Sequence, residues 1–401
     1  MTDFSQRVPR LQVETTLVDG IRDLIPLLDS RHPLLWLCQG QGIAGIGSAL
    51  RLEFFGENRM LDASAVWHDI AAAATVVDPL QLPGTGLIAF GTFAFSSHSA
   101  YASALIVPEL CVGSHNGVHW LTRIRVVDEG ETTPCAPPTL PPVKRPGNAS
   151  GIALLPGAAK PDSYREMVTT AMQHIHNGDL EKVVLARDLV GNLPHEADLR
   201  RALTELARDY PDCWTFSVDG LLGSSPETLV RVDQGTMSSR VLAGTISRGN
   251  NSDSDHDAVR ALATSEKDLD EHRFAVTSVL SALEPHSRTL TASETPFTLK
   301  LPNLWHLASD VEGTLSDDST SLDLIAALHP TAAVAGTATA DALRLIDELE
   351  PFDRGRYAGP VGWVGADGDG EWAIALRCAQ IDSDGGITAY AGAGIVAGSD
   401  P

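Results

Sequence analysis

Hydrophobic and polar positions along the chain fall into two regimes. From residue 1 to 131, short apolar runs such as Gly86-Leu87-Ile88-Ala89-Phe90 and Ala104-Leu105-Ile106-Val107 alternate with turn residues, which predicts a strand-rich portion with few helices. Residues 132–150 hold Pro134, Pro137, Pro138, Pro141, Pro142 and Pro146 and end in Gly147-Asn148-Ala149-Ser150, the composition of an exposed connection. From 151 to 401, amphipathic helices mix with strands. Asp162 can cap a helix that carries Tyr164, Val168, Ala171, Met172 and Ile175 on one face and stops near Gly178. Strands are expected from Lys182 onward and at 213–218, 229–232, 304–311, 361–364, 372–381 and 387–395, with helices at 264–283, 319–328 and 339–349. Long strands outnumber crossover helices, which predicts an α+β fold of antiparallel sheets with helices packed outside.

Composition narrows the function classes. A chain of 401 residues, 43% of them hydrophobic, can bury a sizeable core in one large domain or two. The formal net charge of −23, with no cluster of Lys and Arg, argues against nucleic acid as partner. No run of about 18 apolar residues occurs and the N-terminus lacks an export pattern, so membrane insertion and secretion are not expected. Five cysteines (Cys38, Cys111, Cys135, Cys213, Cys378) are odd in number and lack a Cys-x-x-Cys spacing, which fits a reducing cytoplasm and not a zinc site. A small anionic ligand remains compatible with an acidic chain if its site collects cations and backbone N–H groups.

Five segments could carry chemistry. Lys182 opens the apolar run Lys182-Val183-Val184-Leu185-Ala186-Arg187; it either points to solvent or is buried and paired, and burial beside cations such as Arg377 would favour the amine form that a general base needs. Glu227, aimed by Pro226 in Gly223-Ser224-Ser225-Pro226-Glu227, is either an exposed turn residue or a desolvated, protonated general acid. Together they would form an acid/base pair. Ala243-Gly244-Thr245, and Gly392 and Gly394 in Ala391-Gly392-Ala393-Gly394, are plain turns or places where backbone N–H groups approach a carboxylate. Asp268 and Glu271 share one face of a helix whose apolar face is read as Leu269, Val276, Leu280 and Leu283; that face is a solvated acidic one or half of a Mg²⁺ site. The runs Asp253-Ser254-Asp255-His256-Asp257 and Asp367-Gly368-Asp369-Gly370 read as solvated loops, the latter a hairpin turn.

Taken together, these segments resemble the chorismate-utilising enzymes, most closely isochorismate synthase. The likeness runs from Ser163 to Asp400 and includes Leu304-Trp305-His306-Leu307, Leu328-His329-Pro330-Thr331, Glu348-Leu349-Glu350-Pro351-Phe352-Asp353-Arg354, Tyr357-Ala358-Gly359-Pro360-Val361-Gly362-Trp363, Arg377-Cys378-Ala379 and Ala391-Gly392-Ala393-Gly394-Ile395-Val396. It implies one large catalytic domain, with 1–131 as the strand-rich portion and 151–401 as the chorismate-binding portion. It also implies Lys182 as base, Glu227 as acid, and a substrate site from Ala243, Gly244, Thr245, His306, Arg377, Ala391 and Gly392. The implied cofactor is Mg²⁺, held by Glu271 with Asp268 behind it. Lysine at position 182 accompanies members that activate water, whereas ammonia-using anthranilate and aminodeoxychorismate synthases carry glutamine there. Ala243, where aminodeoxychorismate synthases carry a nucleophilic lysine, points the same way, so no amidotransferase subunit is expected and a monomer is the default.

The pattern has two departures. Ala332 follows His329-Pro330-Thr331 where the family has a second proline. The family also continues beyond Ser-Asp-Pro into a helix with Glu-x-x-Glu and a lysine, so a C-terminal tail is expected after Pro401. Salicylate synthase, which uses the same lysine and then eliminates pyruvate, is the enzymatic alternative; a catalytically impaired chorismate-binding homologue is another. A siderophore or a menaquinone pathway could equally use the product.

Overall fold

Two large sheets carry the chain, and strands from both regimes enter each. The computed structural model describes residues 8–128, 139–147 and 151–401; the N-terminal seven residues, Cys135 and much of the proline-rich connection lie outside the described residues. The first regime supplies β1 (Arg10–Leu17), β2 (Leu34–Cys38), β3 (Gln41–Ile46), β4 (Leu50–Phe54), α1 (Arg59–Ala73), β5 (Thr75–Val77), β6 (Ile88–Thr92), β7 (Ser103–Val107), β8 (Leu110–His115) and β9 (Val118–Val127). After the connection come β10 (Leu155–Pro156), α2 (Pro161–Asn177), β11 (Lys182–Asn192), α3 (Leu199–Asp209), β12 (Trp214–Val218), β13 (Leu221–Ser225), β14 (Thr228–Asp233) and β15 (Thr236–Ser247). Next are α4 (Ser252–Thr264), α5 (Glu266–Leu283), β16 (Ser287–Ala292), β17 (Phe297–Lys300), β18 (Leu304–Leu315), α6 (Ser321–Leu328) and β19 (Gly336–Thr337). The chain closes with α7 (Thr339–Leu349), β20 (Pro360–Gly365), β21 (Gly370–Ile374), β22 (Cys378–Ile381) and β23 (Gly386–Ile395).

The 13-stranded sheet runs β10-β11-β23-β22-β13-β12-β2-β3-β8-β9-β1-β5, with β19 beside β11; the 10-stranded sheet runs β16-β18-β15-β14-β21-β20-β6-β7-β4, with β17 beside β18. β1 and β5 pair in parallel, and the joints between regimes, β12 on β2 and β20 on β6, are antiparallel. Phe216 lies opposite Trp36 and Trp363 opposite Phe90 across those joints. The core contains the fully buried Trp36, Trp67, Trp120, Trp372, Phe90, Phe93 and Phe216. Large aromatics supply the most apolar area per residue, so closing the sheets on them is the main driving force for this arrangement. The helices lie outside, α5 against β15 and β18, α6 against β14, and α2 and α7 against β11. The α+β architecture of antiparallel sheets with outer helices is therefore the observed one.

Local chemistry explains most element ends. Gly178 closes α2 in the left-handed conformation at φ 84°, as its position after the apolar face predicts. The cap at the other end is Lys160, with Pro161 at the first helical position; Asp162 sits within the first turn and caps nothing. The acidic run at 253–257 is a helix start, not a solvated loop: Asn251 and Ser254 form a reciprocal capping box, and Asp255 binds Arg248 and accepts from Trp305 Nε1. Asp367-Gly368-Asp369-Gly370 does join two strands, with Gly365 N–H donating to the Asp369 carbonyl at 2.8 Å. The strand read at 372–381 is two strands, because the chain breaks at Arg377, whose φ is 49°. Residues 139–147 of the connection hold no helix or strand and are pinned by Arg200, which donates to the carbonyls of Lys144 and Arg145, and by Asp198, which accepts from Gly147 N–H.

The buried stripe of α5 differs from the one the hydropathy pattern predicts. His272, Ala275, Val279 and Leu283 face the core, while Val276 and Leu280 are half-buried at its edge. A small residue and an imidazole occupy core positions that apolar periodicity passes over, because the strand beneath them needs room and a hydrogen-bond donor.

Candidate active site

A cavity of about 420 Å³ opens where the ends of β11 and β23 meet β15, β18 and α5. Its wall takes Lys182 and Val184 from β11, Gly392 and Gly394 from β23, Ala243 to Thr245 from β15, His306 from β18, Lys267, Asp268 and Glu271 from α5, and Glu227 and Arg377 from strand connections. Lys182, Lys267 and Arg377 thus converge in one cavity of a protein whose net charge is −23. The strands project alternate residues to one face, which is why Lys182 and Val184, or Gly392 and Gly394, share the wall while Ala391 does not. Among the expected site residues, Ala391 alone stands off that wall; it pairs with Arg187.

Lys182 is the first residue of β11, and its ammonium forms an ion pair with the Glu271 carboxylate, the two side chains being 13% and 26% exposed. Its direct partner is therefore a carboxylate, where the pattern pointed to neighbouring cations. Gly394 makes room for this side chain: a Cβ there would lie 3.0 Å from Lys182 Cε and 3.6 Å from Nζ. Glu227 lies between β13 and β14, held through its own N–H to Ser225 Oγ, and is 7% exposed. Burial pushes its carboxyl up to about 8, against the opposing pull of Lys182 and then Arg377. At neutral pH it holds its proton and can serve as an acid.

The Ala243-Gly244 segment is a bulge in a strand, not a free turn. β15 pairs with β18 up to Leu242 opposite Ala308 and resumes at Thr245 opposite His306, with Gly244 at φ 84°. Two residues facing one leave their backbone groups outside the ladder, the geometry of a ligand cradle. Thr245 Oγ1 lies 2.8 Å from His306 Nδ1. Burial, followed by the charge of Arg377, holds His306 down at about 4, so its ring is neutral. His306 Nε2 and Arg377 Nη1 are buried polar atoms without a protein partner among the described residues. Unpaired polar atoms of this kind at a cavity wall, the Arg377 donor above all, are what a bound carboxylate or hydroxyl would satisfy.

On α5, Ser265 caps the helix by accepting from Asp268 N–H, which sets Asp268 and Glu271 on the cavity side of the opening turns. No group of three or more His, Cys, Asp or Glu among the described residues is arranged as a metal cage. Two carboxylates on the cavity wall nonetheless fit Mg²⁺, which is typically held by one or two carboxylates together with substrate and water oxygens.

A supporting network borders the cavity. Arg354, 4% exposed, donates to the carbonyls of Val184 and Val334 at 2.7 and 3.0 Å and pairs with Glu350, while Glu350 accepts from Ala186 N–H at 2.7 Å. Together they fix β11 from behind. Tyr357 also lines the cavity, and a Cβ on Gly392 would stand 2.8 Å from its hydroxyl. The sequence signal for the network is the four-residue Glu350 to Arg354 spacing, which by itself carries no role. Ala332 lines two smaller spaces next to Glu227 and Lys182 and is off the main wall.

Residues 34–401 match the model of the chorismate binding enzymes. The chain belongs to that family. Isochorismate synthase DhbC of Bacillus subtilis is 41% identical over 254 residues, 60% of this chain and 64% of that protein. The match therefore spans just under two thirds of that relative's length. A solved Bacillus anthracis chain described as a 2,3-dihydroxybenzoate-specific isochorismate synthase is 29% identical with a TM-score of 0.75, covering 94% of this chain and 93% of that one. The menaquinone-specific isochorismate synthase MenF of Escherichia coli superposes with a TM-score of 0.78 at 23% identity, over 99% of this chain and 92% of that one, which shows a common fold.

Proposed function

We propose that this chorismate-binding family member is an isochorismate synthase that adds water at C2 of chorismate and expels the C4 hydroxyl, with Mg²⁺ as cofactor. The observation that carries the reading is the burial of the Glu227 carboxyl, which pushes it up to about 8, in the same cavity as Lys182. In the proposed reaction Glu271 would turn from Lys182 to the metal, Lys182 would release its proton to solvent, and the resulting amine takes a proton from the attacking water as its oxygen bonds to C2. The ring double bond shifts, the C4–O bond breaks, and Glu227 gives its proton to the departing hydroxyl, which leaves as water. One water enters and one leaves, so substrate and product are isomers.

Arg377 and the backbone of the Ala243–Gly244 bulge would hold the substrate carboxylates, and neutral His306 would offer a hydrogen bond from its unpaired nitrogen. Glu271, with Asp268 beside it, would hold Mg²⁺; the bound ion would offset the charge of the ring carboxylate. The identity of the DhbC relative and the lysine at position 182 support water over ammonia as nucleophile.

Incubating the purified protein with chorismate and Mg²⁺ should give isochorismate, with no salicylate or pyruvate and no need for ammonia or a glutamine-hydrolysing subunit. Lys182→Ala should lower kcat by roughly 10²- to 10⁴-fold, the range for losing a positioned base. Wild-type turnover in that variant would sink the assignment, and stoichiometric pyruvate release would shift it to salicylate synthesis.

A further inference from the structure

The bulge in β15 creates a demand that α5 meets. Ala243 and Gly244 lie outside the ladder with β18, and Ala243 is 7% exposed, so its carbonyl needs a partner in the interior. His272, 2% exposed on α5, supplies it: Nδ1 lies 3.1 Å from the Ala243 carbonyl oxygen, and Nε2 lies 2.8 Å from Ser309 Oγ on β18. A carbonyl oxygen only accepts, so Nδ1 carries the proton. The Ser309 hydroxyl can donate to Nε2, so a ring protonated at Nδ1 finds a partner at both nitrogens. The Ala243 end of the ring thus requires the proton on Nδ1, and the Ser309 end accommodates it.

This bond also has a direction. The peptide between Ala243 and Gly244 is planar and trans, so drawing its carbonyl toward α5 turns the Gly244 N–H the opposite way. The same helix turn bears Glu271, the residue immediately before His272, and a Cβ on Gly244 would lie 3.3 Å from the Cβ of Asp268. Bulge and carboxylate-bearing turn are therefore in contact, with the imidazole as the hydrogen-bonded tie between them.

We propose that His272 is a positioning residue: it sets the Ala243–Gly244 peptide that faces the substrate carboxylate and locks that peptide to the helix turn carrying Glu271. The inference rests on the isochorismate synthase reading, in which the bulge binds substrate and Glu271 binds Mg²⁺. It assigns His272 no contact with substrate.

The two halves of the imidazole can be replaced separately. His272→Asn puts an amide donor near the Nδ1 position, within reach of Ala243; His272→Gln puts its amide near the Nε2 position, beside Ser309. The Asn variant should keep the KM for chorismate and the Mg²⁺ concentration for half-maximal rate close to wild type, while the Gln variant should raise both by about tenfold, the effect of one lost hydrogen bond on binding. Both variants lose one bond, so their urea midpoints should be similar. Equal KM values in the two variants, or KM values that simply follow the midpoints, would overturn the proposal.

A second measurement needs no variant to fold. In ¹⁵N-histidine-labelled wild-type protein, the imidazole assigned to His272 by its proximity to Ala243 and Ser309 should carry a proton on Nδ1. His329, whose Nε2 faces the Phe95 carbonyl at 3.0 Å, supplies the internal contrast of a ring protonated at Nε2, and the same pattern on the His272 ring would refute the tie outright. Wild-type protein that makes no isochorismate would strike the functional reading instead, so the two failures are distinguishable.

Discussion

Glu227→Gln separates the proposed acid from its surroundings with little change in shape. The wild-type carboxyl is 7% exposed, and burial moves it from 4.5 to about 8 despite the cations of Lys182 and Arg377. Because the folded value lies above the unfolded one, the native state keeps this proton longer than the unfolded chain does. The group's contribution to stability is therefore fully present below about pH 4.5 and is lost as pH rises towards about 8. At pH 7 the unfolded chain has released the proton and the folded chain has not, a difference of roughly 3 kcal/mol at about 1.4 kcal/mol per pH interval. Glutamine has no such proton. Urea unfolding of wild type and variant across this range should give curves that diverge by roughly 3 kcal/mol between acid and neutral pH, with the variant relatively more stable at the higher pH. Turnover should move the opposite way: kcat of the variant should fall by roughly 10²- to 10⁴-fold, and wild-type kcat should decline above about pH 8 as the acid ionises. Parallel stability curves, or a variant that keeps wild-type turnover, would refute the reasoning, the first by showing that Glu227 is not held protonated and the second by showing that its proton is not used.

Four further substitutions probe the other parts of the site. Gly394→Ala places a methyl 3.0 Å from Lys182 Cε and should lower kcat by about tenfold or more with little effect on the urea midpoint; a silent change would mean that the Lys182 pose is not the working one. Glu271→Gln should raise the Mg²⁺ concentration for half-maximal activity by about tenfold or more, and Asp268→Asn by less, as read by titrating Mg²⁺ into chelator-treated protein; equal responses would remove the distinction between the two carboxylates. Arg354→Met leaves Glu350 buried without its cation, the two side chains being 3% and 2% exposed in the wild type, and should destabilise the fold by about 3–5 kcal/mol in urea unfolding. A loss below about 1 kcal/mol would show that this pair does not hold β11 in place.

Regular elements were legible in the chain because they repeat. The helix at 339–349 has the boundaries its apolar spacing predicts, and the strands near 229–232, 361–364 and 387–395 stand within a residue or two of expectation. What periodicity did not reveal are the places where the regularity fails. Glu227 stands in the corner between β13 and β14, Ala243 and Gly244 in a bulge of β15, and Arg377 at a left-handed break between β21 and β22. Each irregularity has a tertiary cause. Arg377 keeps its unfavourable φ while its carbonyl accepts from Ser224 N–H on another strand, and the Ala243 carbonyl freed by the bulge is taken up by His272. The Lys182–Glu271 pair spans 89 residues of sequence, and only the order of strands in the sheet brings its members together. The Glu227 carboxyl is pushed up for the same reason, by burial that the Ser-Pro-Glu segment cannot encode alone. Hydrophobic pattern specifies the two sheets, and the sheets in turn impose the bends, bulges and desolvation that convert ordinary Lys, Glu and Gly residues into a reactive constellation.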